Sequence, residues 1–295
     1  MPHHYEDTFA VPDGLCLYEQ GWLPDEKKAL RARIIVVHGY GEHSGRYGHV
    51  ATFLTQRGYA LHTYDQRGHG RSGGRRAFVW RFDHYLDDLD VFLARTRARA
   101  PERPLFLFGH SMGGAVCALH GIERRPNVSG LILSSPALKV SDDIAPLLRK
   151  MAFLIGWLFP MLPTIRLKYS QPSHDPVVKA RFEADPLNYH GRVLARTGAE
   201  TIRATRRIQE RMEALTLPFL VLHGTADDMT DPEASRELYR RARAVDKTLK
   251  LYPGFYHETF NEIGGAHVLD DLAGWLDARV EDYGVPAPPS SAKTT

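Results

Sequence analysis

The sequence predicts an α/β fold in which a mostly parallel central sheet is flanked by helices, with a helical cap inserted in the middle of the chain. Over residues 1–139, continuous apolar runs alternate with segments of helical periodicity. Such runs are typical of parallel strands buried on both faces. The alternation lapses over residues 140–215 and then returns. A chain of 295 residues is long enough for one large α/β domain with an insertion.

Composition and charge exclude several classes of protein. The hydrophobic and charged fractions, 43% and 25%, are ordinary globular values. A net charge of +3 on dispersed basic residues does not favour a nucleic-acid partner. Cys16 and Cys117 are too few for a disulfide framework, and the N-terminus lacks the apolar run of a secretory signal. We therefore expect a cytoplasmic protein without a membrane span; its oligomeric state is left open.

The predicted elements follow in order along the chain. An opening hairpin pairs residues 8–11 with 15–18 around a Pro-Asp-Gly turn. Strands are predicted at 32–38, 59–64, 105–108, 128–134, 218–223 and 248–252, and helices at 50–56, 85–93, 111–122 and 266–280. Strands that alternate with helices imply parallel strands, with catalytic loops at their carboxyl ends.

The segment 140–215 is predicted to be a cap over the sheet. The chain returns afterwards to finish the sheet, so residues 1–139 and 216–284 form one core and the cap is not a second independent domain. The last residues, 285–295, are mostly Pro, Ser, Ala and Thr and are predicted to form a disordered tail.

The pentapeptide Gly-His-Ser-Met-Gly at 109–113 predicts a nucleophile at Ser111. Gly-x-Ser-x-Gly alone is a modest signal, because a plain glycine turn has the same pattern. Here an apolar strand comes directly before it and a helix directly after it. That context is the nucleophile elbow of the α/β-hydrolase fold, which places the serine at a helix N-terminus. An elbow with serine in place of aspartate disfavours epoxide hydrolase and dehalogenase chemistry.

A serine nucleophile needs a base and an orienting acid, which follow it in this fold in the order Ser, Asp or Glu, His. Three aspartates follow the strand 218–223. We favour Asp227, the first after the strand, as the acid. Asp231 precedes a proline and a helix and is interpreted as an N-cap, whereas Asp228 is interpreted as a solvated neighbour. Asp142 and Asp143 are a fallback position for the carboxylate.

The base is assigned from the same chain order, and the oxyanion hole is assigned from the loops that supply it in this fold. His257 lies in the loop after the last strand, where the base must arrive. The developing oxyanion needs backbone N–H donors. We assign these to Met112, which follows the nucleophile, and to Tyr40, in the glycine-bearing loop after the first buried strand.

Several motifs together resemble the monoacylglycerol lipase and lysophospholipase family, of the serine aminopeptidase S33 type. They are HGYGEHSGRY at 38–47, DQRGHGRS at 65–72, GHSMGG at 109–114, HGTAD at 223–227 and YHE at 256–258. The resemblance covers nearly the whole chain and is weakest in the cap. It implies that Glu42 and Arg46 border the polar alcohol head of the substrate; bracing of the oxyanion loop is an equal alternative.

The same resemblance makes Asp65, Arg67 and His69 a structural turn beside the site. Tyr40 stands where the family often carries a smaller or aliphatic residue, so the resemblance leaves the size of the substrate open.

In the cap, residues 151–162 carry no charge and lie between Arg149-Lys150 and Arg166-Lys168. They are either a cap helix packed on the core or an apolar lid that touches lipid aggregates.

These observations predict a serine hydrolase that cleaves carboxylic esters, with monoacylglycerols or lysophospholipids as substrates and an acyl-enzyme on Ser111. No metal or organic cofactor is implied. The expected partner is a small lipid ester, with peripheral membrane or micelle contact through the cap. A general carboxylesterase for short soluble esters is the alternative. A non-catalytic binding protein of the same fold is disfavoured, because no member of the triad is missing.

Overall fold

One mixed sheet forms the centre of the protein. The computed structural model describes residues 3–140, 146–166 and 172–280, with only the backbone at 146–150. Within these residues the strands are β1 (His3–Ala10), β2 (Cys16–Leu23), β3 (Ala32–Val37), β4 (Tyr59–Tyr64), β5 (Leu105–His110), β6 (Gly130–Ser134), β7 (Phe219–Gly224) and β8 (Lys247–Tyr252). Their order in the sheet is β1-β2-β4-β3-β5-β6-β7-β8.

The helices follow the strands from β3 onwards, and the last of them comes after β8. They are α1 (Gly48–Thr55), α2 (Asp83–Arg99), α3 (Met112–Glu123), α4 (Pro146–Leu158), α5 (Pro176–Ala184), α6 (Ala195–Arg211), α7 (Pro232–Arg241) and α8 (Ala266–Val280), with short 3₁₀ turns at Ser44–Tyr47, Met212–Ala214 and Thr259–Asn261. Across the described ranges, no helix is long and apolar enough to cross a membrane.

The pairing of the strands confirms the predicted fold class. From β4 through β3, β5, β6 and β7 to β8 the strands are parallel, whereas β1 and β2 form an antiparallel hairpin on β4. Because parallel strands end at a common edge, the loops after β3, β5, β6, β7 and β8 meet there. The structure therefore gathers the predicted site loops at one edge of the sheet.

Two apolar layers hold the sheet between its helices. Alternate residues of a strand face opposite sides, so Ile35 packs into the layer that contains α2 and α3, and Ile34 into the layer that contains α1 and α8. The residues of β3, β4, β5, β6 and β7 are all buried. This double burial explains why their sequences are continuous apolar runs.

The predicted and observed elements differ most in the opening hairpin. The helix predicted at 266–280 and the strand predicted at 59–64 have the bounds of α8 and β4. In contrast, β1 begins at His3, five residues before the predicted strand, and nearly all of it is exposed. Edge pairing with β2 holds this segment extended. The sequence shows no apolar alternation there, because Tyr5 alone of residues 3–7 is even partly buried.

The helices α4, α5 and α6 lie between β6 and β7, in the segment predicted to be the cap. Helix α4 packs against α6, and α6 in turn packs on α3 of the core. The side chains of Ala204 and Ile208 in α6 belong to the buried layer of the core. The predicted boundaries at 140 and 215 stay a prediction, and the predicted tail at 285–295 lies outside the described residues.

Candidate active site

Ser111 stands at a strained turn between β5 and α3. Its backbone has φ 52° and ψ −117°, a region that residues with side chains rarely adopt. The flanking glycines permit the turn, because a Cβ at Gly113 would lie 2.0 Å from the carbonyl oxygen of Val37, and one at Gly109 2.3 Å from that of Gly113. The serine therefore has the backbone geometry expected of a nucleophile elbow.

Asp227 and His257 are joined by a buried hydrogen bond. The Nδ1 of His257 lies 2.8 Å from Oδ2 of Asp227, and both side chains are almost completely buried. Asp227 also interacts with Nε2 of His223 at 3.0 Å and accepts from the Thr230 hydroxyl at 2.7 Å. Burial alone would raise the pKa of Asp227, but His257 and His223 hold it well below its usual range. The carboxylate therefore stays ionised beside the imidazole.

The other aspartates that the sequence offered lie elsewhere. Asp228 is exposed. Asp231 caps α7, since its side chain accepts a hydrogen bond from the amide of Glu233 at 2.8 Å. Asp142 and Asp143 lie outside the described residues. Of the aspartates with a described position, Asp227 is the one that the structure brings to His257.

Contacts at the ends of β5 and β6 bring the serine turn and the histidine loop together. The amide of Ser111 donates to the carbonyl of Ser134 at 3.0 Å, and the hydroxyl of Ser135 donates to the carbonyl of His257 at 2.6 Å. The ring of His110 lies 4.8 Å from that of His257, centroid to centroid. Ser111 and His257 therefore lie at the same edge of the sheet.

The pKa of His257 is raised above its ordinary value. Burial acts to lower this pKa, but the nearby carboxylates of Asp227, Glu258 and Glu42 outweigh it. Each carboxylate favours the charged imidazolium. An imidazole in this position therefore holds a proton more readily than a free one.

The loop after β3 passes directly beside Ser111. A Cβ on Gly39 would lie 3.1 Å from the Cβ of Ser111. Within the described residues, the backbone amides of Tyr40 and Met112 have no hydrogen-bond acceptor. Two unpaired amides in the loops that flank a serine are what an oxyanion hole requires, so both stay candidates for that role.

The side chain of Tyr40 points towards the cap. Its ring packs edge-on against His69 at 5.6 Å and against Tyr189 of the cap at 6.1 Å. The amide of Tyr189 also donates to the carbonyl of Gly41 at 2.8 Å. The larger residue at position 40 therefore joins the loop after β3 to the cap, a contact that a small aliphatic residue would not make.

The motif at 65–72 forms a braced turn, as the sequence indicates. The guanidinium of Arg67 binds the buried carboxylate of Asp88 at 2.5 and 2.7 Å, and also Asp13 at 2.7 Å. Asp65 accepts from the amide and the hydroxyl of Ser44, at 2.8 and 2.6 Å. These bonds tie the turn to the loop after β3 and leave its charged groups paired.

Glu42 and Arg46 lie together in that loop and are largely buried. Arg46 binds Glu42 at 2.6 Å and forks onto Glu258 with two bonds of 2.9 Å. The sequence offered two roles for Glu42 and Arg46, and these contacts favour bracing of the loop. Glu258 and His223 were not singled out from the sequence, although each stands in one of the quoted motifs. Glu258 directly follows His257, and His223 lies four residues before Asp227.

Comparison with known proteins matches this chain to one family and to several of its members over most of its length. Residues 28–264 match the hydrolase 4 family, described as serine aminopeptidase S33. The chain is 36% identical to the monoacylglycerol lipase of Mycolicibacterium smegmatis, covering 92% of this chain and 96% of that one. It is 34% identical to the monoglyceride lipase of Rattus norvegicus, covering 91% and 89%.

A solved structure gives the same comparison in three dimensions. A soluble variant of the monoglyceride lipase from Saccharomyces cerevisiae, in complex with a substrate analogue, superposes with a TM-score of 0.81 at 26% identity. The match covers 94% of this chain and 96% of that one. The likeness therefore extends over both the core and the segment that carries α4, α5 and α6.

Proposed function

The chain belongs to the hydrolase 4 (serine aminopeptidase S33) family of α/β hydrolases, and from this we propose that it hydrolyses monoacylglycerols to a fatty acid and glycerol. The observation that carries the proposal is the buried Asp227–His257 pair, at the same sheet edge as the strained turn of Ser111. The monoacylglycerol lipases among its relatives, similar over nearly their whole length, favour this ester class.

The proposed reaction uses these groups in two steps. His257, oriented by Asp227, takes the proton of the Ser111 hydroxyl as its oxygen attacks the ester carbonyl. The amides of Tyr40 and Met112 donate to the oxyanion, and His257 returns the proton to the departing glycerol. Water then attacks the acyl-enzyme, again losing its proton to His257, and the fatty acid leaves as Ser111 regains its hydrogen.

An apolar surface on the cap supports a lipid substrate. Trp157 in α4 is 71% exposed, and neighbouring apolar side chains are exposed with it. They are Met151, Leu154, Leu158, Phe159, Leu162 and Ile165. Exposed apolar patches of this kind mark interaction sites. We propose that this cap face contacts membranes or micelles at their surface.

Basic residues surround part of the cap face. Arg203 of α6 lies over the ring of Phe153, 5.4 Å from its centroid, and Arg166 follows the apolar stretch with an exposed side chain. Cations beside an apolar face favour anionic lipid surfaces. The side chains of Arg149, Lys150 and Lys168, which the sequence also places beside this stretch, lie outside the described ones.

A substrate panel tests the proposal. We expect kcat/KM to be higher for monoacylglycerols of long acyl chain than for 4-nitrophenyl acetate and butyrate, because an apolar acyl site gains about 0.8 kcal/mol for each methylene that it buries. The measurement is the release of fatty acid over a series of monoacylglycerols and matched nitrophenyl esters. Highest activity on the shortest soluble esters would instead indicate a general carboxylesterase.

Placing a charge on the cap face should affect long substrates most. We expect Leu158→Glu to lower activity on long-chain monoacylglycerol vesicles about tenfold or more, with little change on a short soluble ester, because a carboxylate on this half-exposed residue weakens contact with lipid. The same panel measures both rates. Val245→Glu, at a fully exposed residue between α7 and β8, is the matched control. Equal losses on long and short esters would contradict the role of the cap face.

A further inference from the structure

Arg46 lies between two buried glutamates that belong to different loops. Its Nη1 donates to Glu42 at 2.6 Å, and its Nη1 and Nη2 donate to the two carboxylate oxygens of Glu258 at 2.9 Å each. The side chains of Glu42 and Glu258 are 5% and 2% exposed. A bidentate fork fixes both distance and orientation, so the arginine holds the two loops in a defined position.

Each glutamate is also fastened within its own loop. Glu42 accepts from the amide of Gly39 at 2.5 Å and from the hydroxyl of Tyr47 at 2.8 Å, so it shapes the loop that carries Tyr40. Glu258 follows His257 directly and accepts from the side-chain amide of Asn261 at 2.6 Å. A shift of either glutamate therefore moves the backbone beside the base or beside the oxyanion donors.

We propose that Glu258 is a positioning residue, which through Arg46 holds the loop of His257 against the oxyanion loop. The proposal rests on the proposed function, because it takes His257 as the base and the amide of Tyr40 as an oxyanion donor. Glu258 acts through these two loops and does not touch the reacting atoms. It sets the separation between the group that moves the proton and the group that binds the oxyanion.

The surroundings of Arg46 favour this role over binding of the alcohol. Arg46 borders a cavity of about 580 Å³ between α1 and α5, together with His49, Arg181 and Asn261. Neither Ser111 nor His257 is among the residues that line this cavity. Arg46 thus faces this cavity on one side, while its Nη1 and Nη2 donate to the two glutamates.

The cluster also adds negative charge beside the base. Two glutamates share one arginine, and although burial would raise their pKa values, Arg46 holds both below their usual range. The charged or titratable groups around His257 are Asp227 from the loop after β7, His110 from β5, Glu42 and Arg46 from the loop after β3, and Glu258 itself. Since Glu258 raises the pKa of His257, its neutralisation lowers that pKa.

Glu258→Gln tests the proposal, measured on a monoacylglycerol and a 4-nitrophenyl ester with the same acyl chain. We expect kcat to fall about 10- to 100-fold on both esters while KM changes less than about twofold, because a small displacement of catalytic groups slows the chemical step. We also expect the acid limb of kcat/KM to move to lower pH. With a lower pKa, His257 stays neutral at a more acidic pH and can still act as base there. Arg46→Lys, which keeps the charge and loses the fork, should lower kcat on both esters too.

Glu262→Gln is the matched control. Glu262 is a buried carboxylate four residues further on, bonded to the amides of Tyr256 and His174 and to the hydroxyl of Ser173. We expect this variant to unfold at a lower temperature without moving the acid limb. Wild-type kcat in a folded Glu258→Gln, or a rise in KM confined to the monoacylglycerol, would overturn the positioning role. A wild type that hydrolyses neither ester would instead overturn the proposed function.

Discussion

Replacing Ser111 with alanine should lower kcat for ester hydrolysis by at least about 10⁴-fold, because the acyl-enzyme can no longer form. The variant keeps the elbow backbone, whose turn depends on the glycines at 109 and 113. It should therefore stay folded and still bind substrate. The measurements are the rate of fatty acid release, labelling by a fluorophosphonate probe and the thermal unfolding temperature.

Ser129→Ala is the control for this substitution. Ser129 precedes β6 and lies at the opposite edge of the sheet from Ser111, because β5 and β6 run parallel. We expect it to keep wild-type rates and to be labelled fully. A folded wild type that the probe does not label would count against a serine hydrolase and favour the non-catalytic alternative. Labelling that persists in Ser111→Ala would assign the nucleophile elsewhere.

Replacing Asp227 with asparagine should lower kcat by about 10⁴-fold, the size of the effect for an amide in place of the triad carboxylate. The amide cannot favour the imidazolium as the carboxylate does, and it allows the wrong tautomer of His257. The loss should appear as a lower rate at every pH, since the carboxylate stays ionised over the working range. The measurement is the pH profile of kcat for a soluble nitrophenyl ester.

Two neighbouring aspartates provide matched controls for the acid. Asp228→Asn changes an exposed carboxylate next in the chain and should keep wild-type kcat. Asp231→Ala removes the N-cap of α7 and should lower the free energy of unfolding by about 1 kcal/mol, with kcat unchanged. A large loss of kcat in Asp228→Asn, together with wild-type kcat in Asp227→Asn, would reverse the assignment.

The site residues could be predicted from their order along the chain, because the α/β-hydrolase fold fixes the order in which the serine, the acid and the histidine occur. Strands buried on both faces have continuous apolar sequences, so β3, β5 and β7 could be found, and the residues after them could be ranked by position alone. Asp227 was chosen over the two aspartates that follow it only because it comes first after the strand. Its bond to His257 at 2.8 Å is the geometry expected of that choice, while its catalytic role stays a proposal.

Side-chain contacts between residues distant in sequence could not be predicted from local sequence patterns. Glu258 and Arg46 are 212 positions apart, and nothing in the local pattern around either residue indicates a fork between them. The same holds for the packing of Tyr40 against Tyr189 of the cap. Several apolar side chains of the cap also remain exposed, so the sequence there does not show by itself which apolar groups pack on the core.

The sequence by itself determined the fold class, the family and the elbow at Ser111, since these depend on the period of apolar residues and on short motifs. Only the tertiary structure showed which groups surround His257. It also showed that Arg46 binds both Glu42 and Glu258. The physical reason is that a local pattern fixes which face of an element is buried. Pairing between buried charges depends on how separate loops meet at the edge of the sheet.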